Sequence, residues 1–203
     1  MIYGLEERMR PPRLGTIGLG IVSDSGTKEM QGREVHYFVV PKDSPIARLY
    51  GDQPIRLAVR FPWPEPEQVL HSIAYTLRAG RSVIRRCDGK QYVEICRDGD
   101  RSAACERPPD PYARCPKGCR ATARLSVVIP KTPLGIWEIR IGGLQRIADL
   151  LSSLRLYRAA VGPLTQVPFT LERVETQEQY YDSTGQLRSR KGYPVNLRCP
   201  YTD

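Results

Sequence analysis

The six cysteines of this 203-residue chain constrain its fold more than any other feature. Three of them, Cys105, Cys115 and Cys119, lie in a proline-rich segment that is a poor candidate for a hydrophobic core. Only Pro-Lys-Gly separates Cys115 from Cys119, and a thiolate pair at this spacing can supply two tetrahedral zinc ligands from one turn. The pattern therefore predicts one zinc ion, and four thiolate ligands would make it structural because no coordination position stays open.

The sequence leaves the fourth zinc ligand open between Cys87 and Cys96. Each cysteine comes shortly before an Asp-Gly pair, which is typical of a turn. Cys199 is too distant along the chain to be assigned. The alternative for all six cysteines is that they are buried or incidental thiols in a reduced protein.

The surroundings of the cysteines favour metal ligands over disulfides. Residues 1–8 contain no apolar stretch of the kind that secretory signals have. No segment approaches the roughly 20 apolar residues that a membrane helix needs. We therefore expect a cytoplasmic protein, in which thiols are kept reduced.

The net charge of +9, from 31 basic and 22 acidic residues, predicts a polyanionic or acidic partner. Near the C-terminus, aromatic and basic side chains that could stack on and neutralise nucleic acid lie close together: Tyr180, Tyr181, Arg188, Arg190, Lys191 and Tyr193. An ordinary solvated hairpin would contain the same residue types. A nucleic-acid-binding protein, such as a phage single-strand binder, is accordingly one hypothesis.

The sequence gives little support for an enzyme. Its two histidines, His36 and His71, belong to separate segments, and nothing pairs either of them with a nucleophile. The aspartates beside the cysteines suggest a zinc-dependent hydrolase only weakly, since Asp-Gly pairs are ordinary turn residues. We predict a protein that works by binding, with no catalytic residues.

Hydrophobic periodicity predicts an α+β fold, namely an antiparallel β-rich domain with two helices and an inserted zinc-binding cysteine loop. The predicted helices cover residues 67–79 and 144–161. Alternating apolar and polar residues predict the strands 54–61 and 136–141, and four further strands are predicted at 35–40, 121–129, 169–174 and 193–198.

The predicted domain organisation has two parts. Residues 1–34 form an irregular arm and the first strand, and residues 35–203 form a single α+β domain. Within that domain, residues 82–120 make a zinc-loop lobe and residues 169–199 make a C-terminal hairpin.

The order of several short motifs resembles that of a known family. The motifs run in this order: Pro12-Arg13-Leu14-Gly15-Thr16-Ile17-Gly18-Leu19-Gly20, His36-Tyr37-Phe38-Val39-Val40-Pro41, Leu49-Tyr50-Gly51-Asp52-Gln53-Pro54, Cys87-Asp88-Gly89, Gly135-Ile136-Trp137-Glu138-Ile139 and Val167-Pro168-Phe169-Thr170-Leu171. The chain thereby resembles, over roughly residues 10–200, the phage recombination directionality factors that partner large serine integrases. Relatives in this family often carry the label of metal-binding proteins.

The resemblance implies a function and a ligand set. A directionality factor binds its integrase on DNA, favours recombination of attL with attR, and disfavours that of attP with attB, in the cytoplasm of the bacterial host. The family keeps a cysteine before Asp-Gly, which implies Cys87 as the fourth zinc ligand beside Cys105, Cys115 and Cys119. The chain departs from the family's Cys-Pro-Cys, because it has Ala104-Cys105-Glu106 there.

Overall fold

The computed structural model describes residues 11–22, 32–79, 82–87, 92–95, 118–181 and 186–201. These residues form three β-sheets and three α-helices. The strands are β1 (Arg13–Val22), β2 (Gly32–Val39), β3 (Arg56–Val59), β4 (Leu70–Ala79), β5 (Ser82–Cys87), β6 (Tyr92–Ile95), β7 (Arg120–Val127), β8 (Ile136–Gly142), β9 (Phe169–Arg173), β10 (Thr176–Tyr181), β11 (Leu187–Gly192) and β12 (Val195–Arg198). The helices are α1 (Pro45–Tyr50), α2 (Pro66–Val69) and α3 (Leu144–Val161).

The largest sheet has seven strands in the order β2-β1-β8-β7-β4-β5-β6. All neighbouring pairs are antiparallel except β1 and β8, which are parallel. In that parallel pair Gly15 lies opposite Trp137, and a Cβ atom at Gly15 would come within 2.7 Å of the indole ring. Glycine is required there because the buried indole occupies the space of a side chain.

Helix α3 covers one face of this sheet. On that face, alternate side chains of β7 and β8 are buried, and Leu125 and Ile139 are among them. Leu150 and Leu154 of α3 belong to the same core. The helix ends at Gly162, whose φ of 84° suits glycine. The helix predicted for residues 144–161 is confirmed.

A smaller sheet has the order β12-β9-β3. Its inner face carries Leu57, Leu171 and Leu197 in register, and all three are buried. On its outer face Glu172 forms ion pairs with Arg56 at 2.8 Å and with Arg198 at 2.7 Å. Strands β10 and β11 form the third sheet, a two-stranded hairpin between β9 and β12.

The helix predicted for residues 67–79 is wrong. One helical turn, α2, is followed directly by the ten-residue strand β4, which pairs with β5 and β7. A bulge between His71 and Ala74 shifts the register, so that Leu70 pairs with Leu125 while Ala74 pairs with Thr122. Because the bulge breaks the two-residue alternation, the apolar positions of β4 imitate a helical period.

The predicted fold class is also wrong in its details. The described residues contain three α-helices instead of two, and the sheet is mixed because β1 and β8 are parallel. Helix α1 was not predicted; its N-cap is Ser44, whose Oγ accepts a hydrogen bond from the backbone N–H of Ala47 at 3.2 Å. Within the ranges that the structure describes, no group of three or more Cys, His, Asp or Glu side chains could hold a metal ion, so the inserted zinc-binding loop is not supported as part of the fold.

Candidate functional site

Two of the predicted zinc ligands can be placed. Cys87 ends β5 and Cys119 directly precedes β7, and both side chains are buried. Tyr75 of β4 lies opposite both Cys87 and Ala121. Cys87, Tyr75 and Ala121 therefore lie on one face of the sheet. Side chains two residues apart along a strand share a face, so Cys119 lies on that face as well, and β4 separates it from Cys87.

The other two predicted ligands, Cys105 and Cys115, and the reserve ligand Cys96 lie outside the described residues. Cys199 follows β12 and is buried in the main hydrophobic core. The zinc ion and its ligand set stay a prediction. Zinc content would test it, because Cys119→Ser should lose the metal while Cys199→Ser should keep it.

A groove of about 1380 Å³ opens beside Cys119. Its walls are the start of β7, the first turns of α3, strand β12 and the base of the β10–β11 hairpin. Apolar residues such as Tyr75 and Leu150 lie beside polar residues such as Ser153 and Asn196. Such a mixed, open surface suits a protein segment better than a small molecule.

A group of ion pairs joins the elements at one side of the groove. Arg146 of α3 donates to both carboxylate oxygens of Glu34 on β2, at 2.7 and 2.9 Å, and to Glu178 on β10 at 2.7 Å. Arg173 of β9 donates from Nη2 to Glu34 at 3.0 Å and to the carbonyl oxygen of Val35 at 2.7 Å. This network connects the helix, the large sheet, the small sheet and the hairpin.

Burial and charge oppose each other in this network. Burial raises the pKa of Glu34, but hydrogen bonds and charge from Arg146 and Arg173 outweigh it, so the pKa lies below its ordinary value. Burial lowers the pKa of Arg173 despite the charge of Glu34. Among the described residues, Nε and Nη1 of Arg173 find no hydrogen-bond partner. Glu34 is the carboxylate in hydrogen-bond contact with this buried guanidinium, and the charge of Glu178 adds to its compensation.

The other face of the large sheet carries a cluster of arginines, which we call the basic sheet face: Arg13, Arg120, Arg124 and Arg140. All four side chains are exposed. Arg124 of β7 lies directly opposite Arg140 of β8. Glu138 accepts from Arg13 at 2.9 Å and from Arg124 at 3.4 Å.

The basic sheet face was not predicted from the sequence. The alternation of apolar and polar residues that predicts strand 136–141 puts only Glu138 and Arg140 together on one side of β8. The arginines of the basic sheet face come from three strands, of which β7 and β8 follow each other in the sequence while β1 begins more than 100 residues earlier, and the pairing in the order β1-β8-β7 brings them together. The available signal was the spacing of Arg120 and Arg124, which puts both on one side of β7.

Two basic residues of the C-terminal hairpin pair with carboxylates on or next to its first strand. Arg190 pairs with Glu178 at 3.2 Å, and Lys191 pairs with Glu175 at 2.7 Å. Tyr193 donates its hydroxyl to Glu175 at 3.2 Å. The side chains of Tyr180 and Tyr181 lie outside the described part. The hairpin thus offers less uncompensated positive charge than its sequence suggested.

The two histidines lie in different surroundings. His36 contacts the rings of Tyr37 and Tyr193. His71 Nε2 lies 3.0 Å from Oγ of Ser126, a distance that suits a hydrogen bond. Ser126 is only 1% exposed, so this Ser–His contact is closed to a substrate.

Comparison with known proteins identifies the family. The family model Gp3-like, described as recombination directionality factor-like, matches residues 14–199. The chain belongs to this family, and the resemblance predicted from its motifs is confirmed. Membership supports a role in phage recombination and suggests a protein partner there. No curated protein and no solved structure matches the chain. In the described residues, no helix has the length and apolarity to cross a membrane.

Proposed function

We propose that this protein is a recombination directionality factor that binds a large serine integrase in the bacterial host cytoplasm. It switches the integrase from integration, attP with attB, to excision, attL with attR. The observation that carries this proposal is the family match over residues 14–199, which begins within β1 and includes every later strand to β12. The match thus covers nearly the whole chain and not a single motif.

In this proposal the factor breaks no bond and has no catalytic residues. It binds one arrangement of the DNA-bound integrase more tightly than the other, and this increases the population of the arrangement that it binds. If the integrase alone prefers one arrangement tenfold, turning this into a tenfold preference for the other arrangement requires the factor to bind that other arrangement about 100-fold more tightly. This difference in affinity is about 2.7 kcal/mol. One specific protein interface can supply a difference of this size.

A reconstituted recombination assay tests the proposal. Purified integrase from the same phage is mixed with attL and attR substrates, with and without this protein, and with attP and attB in parallel. Excision should rise and integration should fall as the protein is added. Background levels of attL with attR recombination at saturating protein would disprove the proposal.

A phage single-strand-binding protein, which the sequence also suggested, has less support. That hypothesis relied on the Tyr- and Arg-rich hairpin. In the structure Arg190 and Lys191 pair with Glu178 and Glu175, which reduces their availability to phosphates. Filter binding of single-stranded DNA across a salt series separates the two hypotheses, because a single-strand binder shows strong and salt-dependent affinity.

A further inference from the structure

Strand β12 lies at an edge of the three-stranded sheet, with β9 as its one paired neighbour among the described residues. The orientation of β9 follows from one hydrogen bond, in which the N–H of Arg173 donates to the carbonyl oxygen of Ile55 at 2.9 Å, on the side of β3. Backbone groups of successive residues in an antiparallel strand point to opposite sides. The backbone groups of Glu172 and Thr170 therefore point the other way, toward β12.

The register of β12 with β9 fixes the direction of each backbone group in β12. Asn196 and Arg198 lie opposite these two residues of β9, so they form the hydrogen bonds of the ladder. Val195 and Leu197 consequently direct their N–H and C=O groups away from β9, to the outer edge of the sheet. The hydroxyl of Tyr157 on α3 agrees with this direction, because it donates to the carbonyl oxygen of Leu197 at 3.1 Å.

Three backbone groups at this outer edge have no hydrogen-bond partner in the part of the chain that the structure describes. They are the N–H and C=O groups of Val195 and the N–H of Leu197. The groove of about 1380 Å³ lies beside them, since residues 194–198 line it together with the first turns of α3 and the base of the β10–β11 hairpin. A strand edge with unpaired backbone groups is a template for pairing with another strand.

We propose that the outer edge of β12 binds an extended segment of the integrase, which enters the groove and adds a fourth strand to the small sheet. The identity of the partner rests on the proposed function. The chemistry of the bound segment follows from the edge itself, because an extended backbone offers C=O and N–H groups that match the unpaired groups of Val195 and Leu197. The added strand lies about 4.8 Å from β12. It pairs with Val195 through two hydrogen bonds and with the N–H of Leu197 through one.

The position of the edge inside a groove favours a projecting segment of another protein over a second copy of this chain. Two copies that paired through β12 would bring the same edge against itself across a two-fold axis. The first turns of α3 and the base of the hairpin line the same groove, and they would meet their counterparts before the edges could pair. An extended segment that protrudes from its own protein meets no such obstacle.

The variant Val195→Pro tests the edge. Proline lacks the N–H that the added strand would use, and edge strands tolerate proline where the N–H points outward. The measurement is the affinity of the full-length protein for purified integrase from the same phage, by calorimetry. The affinity should fall about tenfold or more, because one hydrogen bond is lost and the proline ring occupies the space of the added strand.

The matched control is Ala58→Pro on β3, at the opposite edge of the same sheet. Ala58 is exposed and lies opposite Thr170, whose backbone groups point toward β12. The N–H of Ala58 therefore points to the outer edge of β3, and within the described ranges it has no hydrogen-bond partner. This variant should bind the integrase as the unmodified protein does. Thermal melting shows whether both variants are folded.

Amide hydrogen exchange of the unmodified protein, read by NMR, gives a second measurement that needs no variant. In the free protein the amides of Val195 and Leu197 should exchange faster than those of Asn196 and Arg198, which bond to β9. Saturating integrase should slow the exchange of the amides of Val195 and Leu197 by about tenfold or more, because the added strand accepts their hydrogen bonds.

The outcomes separate this inference from the proposed function. Unchanged integrase binding by Val195→Pro, or unchanged exchange of the two amides in the complex, would overturn the inference and leave the proposed function intact. Equal losses in Val195→Pro and Ala58→Pro would overturn it too, since the effect would not belong to β12. Slower exchange of the two amides at high protein concentration without integrase would assign the edge to a second copy of this chain and overturn it. An unmodified protein that binds no integrase would overturn the inference and the proposed function together.

Discussion

Arg146 and Glu34 form a two-pronged ion pair, with Nη1–Oε1 and Nη2–Oε2 distances of 2.7 and 2.9 Å. The pair joins α3 to β2, which are far apart in the sequence. Glu34 also accepts from Arg173, whose side chain is fully buried. Glu34 thus contacts two guanidinium groups at the junction of the sheets and the helix, and Glu178 shares the compensation of Arg146.

Replacing Glu34 by Gln should destabilise the protein by about 2–3 kcal/mol. Breaking a buried pair costs about 3–5 kcal/mol because a buried charge is left uncompensated, and the side chain of Glu34 retains 29% exposure, which reduces that cost. Urea unfolding measures the change. Glu67→Gln is the control, because its exposed pair with Arg155 should contribute little. Similar losses in the two variants would contradict the central role of Glu34.

Acid should destabilise the protein partly through the same carboxyl group. The folded-state pKa of Glu34 lies below its ordinary value of 4.5. Its contribution is therefore fully present above pH 4.5 and is lost as the pH falls through the folded-state pKa. We expect the free energy of unfolding to drop from pH 5 downward, and less steeply in Glu34→Gln. Parallel pH profiles for the variant and the unmodified protein would refute this.

A methyl group at Gly15 should disturb the pairing of β1 with β8. The added Cβ would come within 2.7 Å of the Trp137 ring, so Gly15→Ala should cost about 1–3 kcal/mol. Gly142→Ala in β8 is a matched control, because its Cβ would meet no atom within 4 Å. The control should be neutral or slightly stabilising. The prediction fails if thermal melting gives both variants the same midpoint.

Removing the cap of α1 should have a moderate effect. Ser44 accepts the N–H of Ala47 through its Oγ and is 7% exposed, so Ser44→Ala should cost about 1 kcal/mol. Ser153→Ala within α3 provides the comparison, since alanine is the better helix former at an interior position. Denaturant midpoints of the two variants should move in opposite directions, and a stabilised Ser44→Ala would disprove the capping role.

The sequence predicted best the elements whose environment is simple. Helix α3 was placed correctly because its apolar stripe has a regular helical period over 18 residues, and β8 because Trp137, Ile139 and Ile141 alternate with polar residues. Strand β4 was misread because the bulge at His71–Ala74 and pairing on both sides override local preference. Helix α1 was missed although Ser44-Pro45 is a recognisable start.

The candidate sites were predicted less well than the fold. The sequence directed attention to cysteines close together along the chain, of which only Cys119 and Cys87 are among the described residues. The basic sheet face depends instead on the parallel neighbour β1 and on the register of β7 with β8. Pairing between distant segments is not encoded in local periodicity, so single-sequence reasoning could not assemble it.

The parallel pairing of β1 with β8 has a consequence for synthesis on the ribosome. Strand β1, residues 13–22, cannot pair with β8 until residues 136–142 have left the exit tunnel. Contacts of such long range slow folding, because the intervening loop must close before the pairing contributes energy. We therefore expect β7 to pair with β8 first in the nascent chain, and β1 to join β8 later. A chaperone that holds this N-terminal segment would help most during that interval.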